Sequence, residues 1–120
     1  MTEKVDPKFL GIPNICFSLA DDENYSEQRK TRGFDDSETW DLSDTIARFI
    51  IPRLKIFKKN ECSTPIDLNK QQWEQILDQI TNAFELIVRD DGARTFSTEE
   101  ERMVNEGLDM FRKWFLHLWN

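Results

Sequence analysis

The chain has 120 residues, with 16 Lys and Arg against 23 Asp and Glu and a formal charge of −7. That length supports one domain with a single core. The acidic balance speaks against direct nucleic-acid binding, which needs a basic footprint to neutralise phosphates. No apolar run approaches the roughly 18 residues that span a bilayer, so the composition predicts a soluble protein with no membrane role.

Residues 1–20 carry Pro7 and Pro13 among Phe9, Leu10, Ile12, Ile15, Phe17 and Leu19. Prolines at that spacing forbid a regular helix and predict an extended arm laid over the rest of the chain. Residues 21–33 are polar and turn-rich, with the composition of a linker. Arg29, Lys30 and Arg32 form a basic knot before Gly33, and Asp35, Asp36 and Glu38 follow, with Trp40 leading into a helix. Cys16 and Cys62 form no C-x-x-C pair and read as free thiols of an intracellular protein.

The spacing predicts a helix over residues 41–59. Leu42, Ile46, Phe49, Ile50, Leu54, Ile56 and Phe57 share one broad face, with Arg48, Lys55 and Lys59 opposite. Pro52 removes one N–H donor and predicts a kink near Ile51. Arg53 falls inside the apolar arc, so it must snorkel out, pair with a carboxylate or hold an anion. The next helix starts at Asn69, with an N-x-x-Q box completed by Gln72. Trp73, Ile76, Leu77, Ile80, Ala83, Phe84, Ile87 and Val88 keep helical spacing, and Gly92 ends the run. Its outer side carries an acidic stripe, Glu74, Asp78 and Glu85, able to face the basic stripe of the preceding helix or a partner. The last helix starts at Ser97 or Thr98, with Glu100 or Glu101 three residues on. Its apolar arc, from Met103 to Trp119 and including Gly107, is wide enough to predict deep burial or cover for a second subunit.

Catalytic chemistry has little to build on. His117 is the only histidine and sits at the edge of an apolar arc. Glu106 and Asp109 have the E-x-x-D spacing that all-α nucleotide hydrolases use to hold magnesium, but the partner E-E-x-x-E is missing, and neither a zinc spacing nor a P-loop occurs. The expectation is therefore a protein that is not an enzyme and carries no metal or cofactor. For binding, Arg48, Arg53 and Lys55, joined by Arg32 and Trp40, supply forks for phosphate and a ring for a base. Glu74, Asp78, Glu85 and Trp119 are the candidates for a partner interface.

Gly33-Phe34, the run from Glu38 to Leu42, Ile50-Ile51-Pro52-Arg53-Leu54-Lys55, Trp73-Glu74-Gln75-Ile76-Leu77, Ala83-Phe84-Glu85-Leu86 and Glu106-Gly107-Leu108 together resemble a family of small tailed-phage proteins, over about residues 33–119. The resemblance implies a phage gene product acting in the host bacterial cytoplasm. Small phage proteins without an enzyme motif often disable a host component by binding it, an analogy of context rather than of site. The joint expectation is an all-α fold: a compact bundle of three main helices, the first kinked at Pro52, over residues 41–120. The N-terminal arm and loop, residues 1–40, pack on it within a single domain. The expected activity is non-catalytic neutralisation of a host protein or of a phosphate-bearing nucleotide signal, with a homo-oligomer possible. A metal-dependent nucleotide hydrolase and a virion component are the alternatives.

Overall fold

The computed structural model describes residues 23–60, 63–88 and 95–119. The arm expected over residues 1–20 lies outside them, as do Cys16, Cys62 and the helix-ending Gly92. Among the described residues the fold is all-α, with no strand. Four helices follow one another: α1 (Glu23–Arg32), α2 (Leu42–Lys59), α3 (Lys70–Val88) and α4 (Thr98–Trp114). Short 3-10 turns cover Asp36–Thr39 and Phe115–His117. None of the helices is long and apolar enough to cross a membrane. The chain divides into two compact units, Met1–Ile46 and Ala47–Asn120.

In the first unit the segment expected to be a linker is helical. Its polar composition hid the fact that no Gly or Pro interrupts residues 23–32, and that Glu, Gln, Lys and Arg are good helix formers. Gly33 stops α1 by adopting φ 87°, and its N–H donates to Arg29 O at 3.0 Å. The turn that follows is wired by side chains. Asp35 is fully buried, accepts from Ser37 N at 2.8 Å and pairs with Arg29 at 2.8 Å. Glu38 returns the capping box by accepting from Asp35 N at 2.9 Å. Gln28 also bridges this turn to α1, accepting from Asp36 N and donating to the Asp36 carboxylate.

The second unit is built around α3. Trp73, Leu77, Ile80 and Ala83 are fully buried on it, with Phe84 and Thr81 nearly so. Each large apolar side chain removed from water contributes about 1.5–3 kcal/mol, and most of the core lies on this one helix. Its start is the expected box: Gln72 N donates to Asn69 Oδ1 at 2.8 Å, and Asn69 N to Gln72 Oε1 at 3.0 Å.

α2 gives Ala47 and Leu54 to the core, backed by Ile50 and Ile51. Asp41 caps it, accepting from Ser43 Oγ and Asp44 N, and the helix continues through Pro52 to Lys59. The expected broad apolar face is only partly used: Leu42, Ile46 and Ile56 are exposed. The inward direction runs along Ala47, Ile50/Ile51 and Leu54. Apolar residues half a turn away therefore point outward.

α4 runs antiparallel to α3, with Trp73 against Trp114 (5.9 Å between centroids) and Phe84 against Phe111 (5.2 Å). Ser97 and Glu100 form its capping box. Gly107 lets the two backbones meet. A Cβ there would lie 2.3 Å from Ala83 Cβ and 2.6 Å from Gln79 O. Deep burial of α4 is not found among the described residues: only Val104 and Gly107 are buried, while Met103, Leu108 and Phe115 stay exposed. The apolar arc is wider than the strip α3 can cover.

Arg102 clamps the outer surface of α4, bonding Glu99 on one side and both carboxylate oxygens of Glu106 at 2.8 and 2.9 Å on the other. The Arg102 hydrogen bond holds the Glu99 carboxyl below its ordinary value of 4.5. In the first unit Arg32, and then Gln28, hold Asp36 below its ordinary 3.8. A carboxylate depressed in the folded state stabilises the fold above its unfolded value, and that share is lost as pH falls through the folded one. Both groups are solvent-exposed, so each share is small. Thermal melts of wild type and Arg102→Ala should differ by a constant offset from pH 7 to 5, and the offset should close as pH falls below 4.5. An offset that persists at pH 2.5 would show that the clamp acts through packing rather than charge.

Candidate functional site

The five residues expected to gather on phosphate are distributed over both units, and each already has local work. In the first unit, Arg32 donates to Phe34 O at 3.0 Å, to Gln28 Oε1 and to Asp36, and it stacks over the Phe34 ring at 4.3 Å. Its guanidinium locks α1 to the turn. Trp40 is largely exposed, with Tyr25 edge-on at 6.0 Å.

In the second unit, Arg48 and Lys55 are seven residues apart and share one face of α2, and that face meets α3. Arg48 Nη2 reaches Val88 O at 3.4 Å. Val88 is the last described residue of α3. Lys55 pairs with Glu85 at 3.3 Å, and Lys58 with Asp78 at 2.7 Å. The basic stripe of α2 and the acidic stripe of α3 thus meet, as charge complementarity across antiparallel helices allows. Glu74, the third acid of that stripe, lies 4.0 Å from Lys70 one turn earlier. Around these pairs opens a cleft of about 570 Å³, lined by Lys55, Lys58, Lys59, Lys70, Thr81 and Asn82 together with the three acids. Its α2 side is basic, and its α3 side carries the three acids and Lys70.

Arg53 is turned away from this cleft. Five residues past Arg48, it lies about 140° around the helix. Its Nη1 donates to Phe49 O at 2.8 Å, and its Cζ sits 3.9 Å from the centroid of the Phe49 ring. Beside it is a shallow depression of about 540 Å³, lined by Pro52, Arg53, Ile56, Phe57 and Asn60. Arg48, Arg53 and Lys55 therefore serve two surfaces of one helix and do not form a single fork. The role of Ile56 and Asn60 as flanks of Arg53 was missed by sequence reasoning. Their spacing of three and seven residues from Arg53 is the signal that could have found them.

Trp119, the remaining interface candidate, is 65% exposed, and Leu116 beside it is 82% exposed. Leu116 lies on the 3-10 turn Phe115–His117 that follows α4, and Trp119 two residues beyond it; Phe115 of that turn packs edge-on against Phe111 at 5.3 Å. His117 stacks edge-on against Trp114, with 5.2 Å between ring centroids. Glu106 of the E-x-x-D pair is held by Arg102. Among the described residues no group of three or more His, Cys, Asp or Glu side chains is placed to hold a metal ion. Comparison of the chain with protein-family models, with curated proteins and with solved structures finds no significant match.

Proposed function

We propose that this chain is a non-catalytic phage accessory protein that binds a host bacterial protein in the cytoplasm and neutralises it. The reading takes α2, α3 and α4 as a three-helix scaffold whose surface does the work. One observation carries it: the run Phe115–Trp119 leaves three large apolar side chains exposed, at 54% for Phe115, 82% for Leu116 and 65% for Trp119. Exposed tryptophan beside aliphatic and aromatic neighbours is the composition of an interface centre. The cations expected to bind phosphate are occupied instead, Arg48 with the end of α3 and Lys55 with Glu85, which favours a protein target over a nucleotide.

The test is capture from host lysate, identification of the partner by mass spectrometry and reassembly from pure components in analytical ultracentrifugation. Wild type should form a stoichiometric complex, and the double variant Leu116→Glu/Trp119→Glu should weaken it at least 10-fold while keeping the same helical circular dichroism. Failure of any identified protein to reassemble with the pure chain would end this reading. Sequestration of a phosphate-bearing nucleotide is the second reading, favoured by the four lysines of the 570 Å³ cleft. It would take over if a thermal-shift screen of cyclic and linear nucleotides gave a stabilisation of several degrees that Lys59→Ala/Lys70→Ala abolished.

A further inference from the structure

From Ala47 to Asn60 the sequence holds five basic residues and no acidic one. Three of the five, Arg48, Lys55 and Lys58, are directed to α3. Lys59 lines the cleft shared with the three acids of α3, whereas Arg53 is turned away from it and among the described residues has no carboxylate within ion-pair distance. Arg53 is also held in one posture. Stacking on Phe49 and one hydrogen bond to the Phe49 carbonyl use one face and one N–H of the guanidinium, leaving the remaining donors of the fork turned to solvent. An arginine fixed by its own helix gives up less rotamer freedom when a ligand arrives than a free one does.

The ground around it is apolar. Pro52 and Ile56 are exposed, Ile56 at 56%, and Phe57 is half-buried at the floor of the 540 Å³ depression. Phe49, Arg53, Ile56 and Asn60 fall at spacings of four, three and four, the seam by which one helix receives another amphipathic segment. The seam is apolar except for the pinned cation and the amide that closes it.

We propose that the outer face of α2, centred on Arg53, is a docking site for a peptide segment of a partner protein bearing one Asp or Glu between apolar side chains. The carboxylate pairs bidentately with the Arg53 fork, and its apolar neighbours settle on Pro52, Ile56 and Phe57. The proposal rests on the reading of the chain as a protein-binding module but uses a surface of its own, separate from the Phe115–Trp119 run.

Selection of a display library of random 12-residue peptides on the full chain tests it directly. Enriched peptides should share an acidic residue flanked by aliphatic or aromatic ones. Fluorescein-labelled copies should lose at least 10-fold in affinity when that acid is changed to its amide. The same loss is expected for Arg53→Ala and, because the fork is gone while the charge stays, most of it for Arg53→Lys. Ile56→Asp should abolish binding, and Leu116→Glu/Trp119→Glu should leave it unchanged. Arg53 and Ile56 are exposed, so these variants should keep the wild-type melting temperature within a few degrees. Enriched peptides without an acid, equal binding by Arg53→Ala, or no enrichment would overturn the proposal. So would a concentration-dependent dimer lost in Ile56→Asp, since a second copy would then cover this face. If peptides bind as expected but no host protein reassembles, the site stands and the neutralisation reading falls; the reverse pattern separates them the other way.

Discussion

Replacing Gly107 by alanine is expected to destabilise the chain by about 3 kcal/mol and to lower its melting temperature by about 10 °C. In an isolated helix the same change would be favourable by about 1 kcal/mol, because alanine is the better helix former. Here the new Cβ would stand 2.6 Å from the Gln79 carbonyl oxygen and 2.3 Å from Ala83 Cβ. Neither can swing aside: one is backbone and the other is the first side-chain atom of a fully buried residue. The only relief is to move α4 away from α3, which loosens the Trp73–Trp114 and Phe84–Phe111 contacts along the same interface. Thermal melts followed by circular dichroism measure the shift, with Asn105→Ala, on the exposed side of α4, as the control expected to change little. An unchanged melting temperature for Gly107→Ala would mean that the two helices do not approach as described.

Trp73→Ala is the other large effect, at about 4 kcal/mol. Trp73 is fully buried at the start of α3, and its ring meets that of Trp114. Truncation removes the largest fully buried side chain and leaves a cavity that two helix ends would have to collapse to fill. Trp73→Phe should cost much less. Phenylalanine keeps an aromatic body in the site, and it discards an indole N–H that is buried without an acceptor, a group that opposes burial. Urea melts of the two variants distinguish these terms. A phenylalanine variant as weak as the alanine one would mean that the indole N–H, not the ring volume, holds the site together.

Much of the fold was legible in the sequence because its signals are local. Asn69 with Gln72 places one helix start to the residue, and Ser97 or Thr98 with the glutamate three residues on places the other within one residue, the structure choosing Ser97 and Glu100, since a capping box needs only four consecutive positions. The run from Trp73 to Val88 places the core for the same reason: an apolar stripe at helical spacing has to be buried somewhere. What stayed hidden depends on direction. Leu42, Ile46 and Ile56 look like core by spacing and are exposed, because the inward face of α2 is set by Ala47, a small residue that carries little weight in an apolar count. α1 was missed because it has no apolar stripe and is held by Gln28, Arg29 and Arg32 reaching the following turn. Those partners lie four to eight residues away and leave no periodic trace. The candidate phosphate site was a list of cations close in sequence. Helix geometry sends Arg48 and Lys55 to one side and Arg53 to the other, and only the depression beside Arg53 shows which cation faces apolar ground.

The self-contained starts of α3 and α4 also bear on how fast the second unit assembles. Nucleation is the costly step of helix formation, since several residues must be fixed before the first hydrogen bond rewards them. Side chains that satisfy the first amide groups within a four-residue span lower that cost before any tertiary contact exists. The two helices are consecutive among the described residues and meet antiparallel, so within this unit the chain has only to fold back on itself once to bring Ala83 to Gly107 and Trp73 to Trp114. Proteins of that topology fold in the microsecond-to-millisecond range. Binding competence of this unit would then be limited by synthesis rather than by folding.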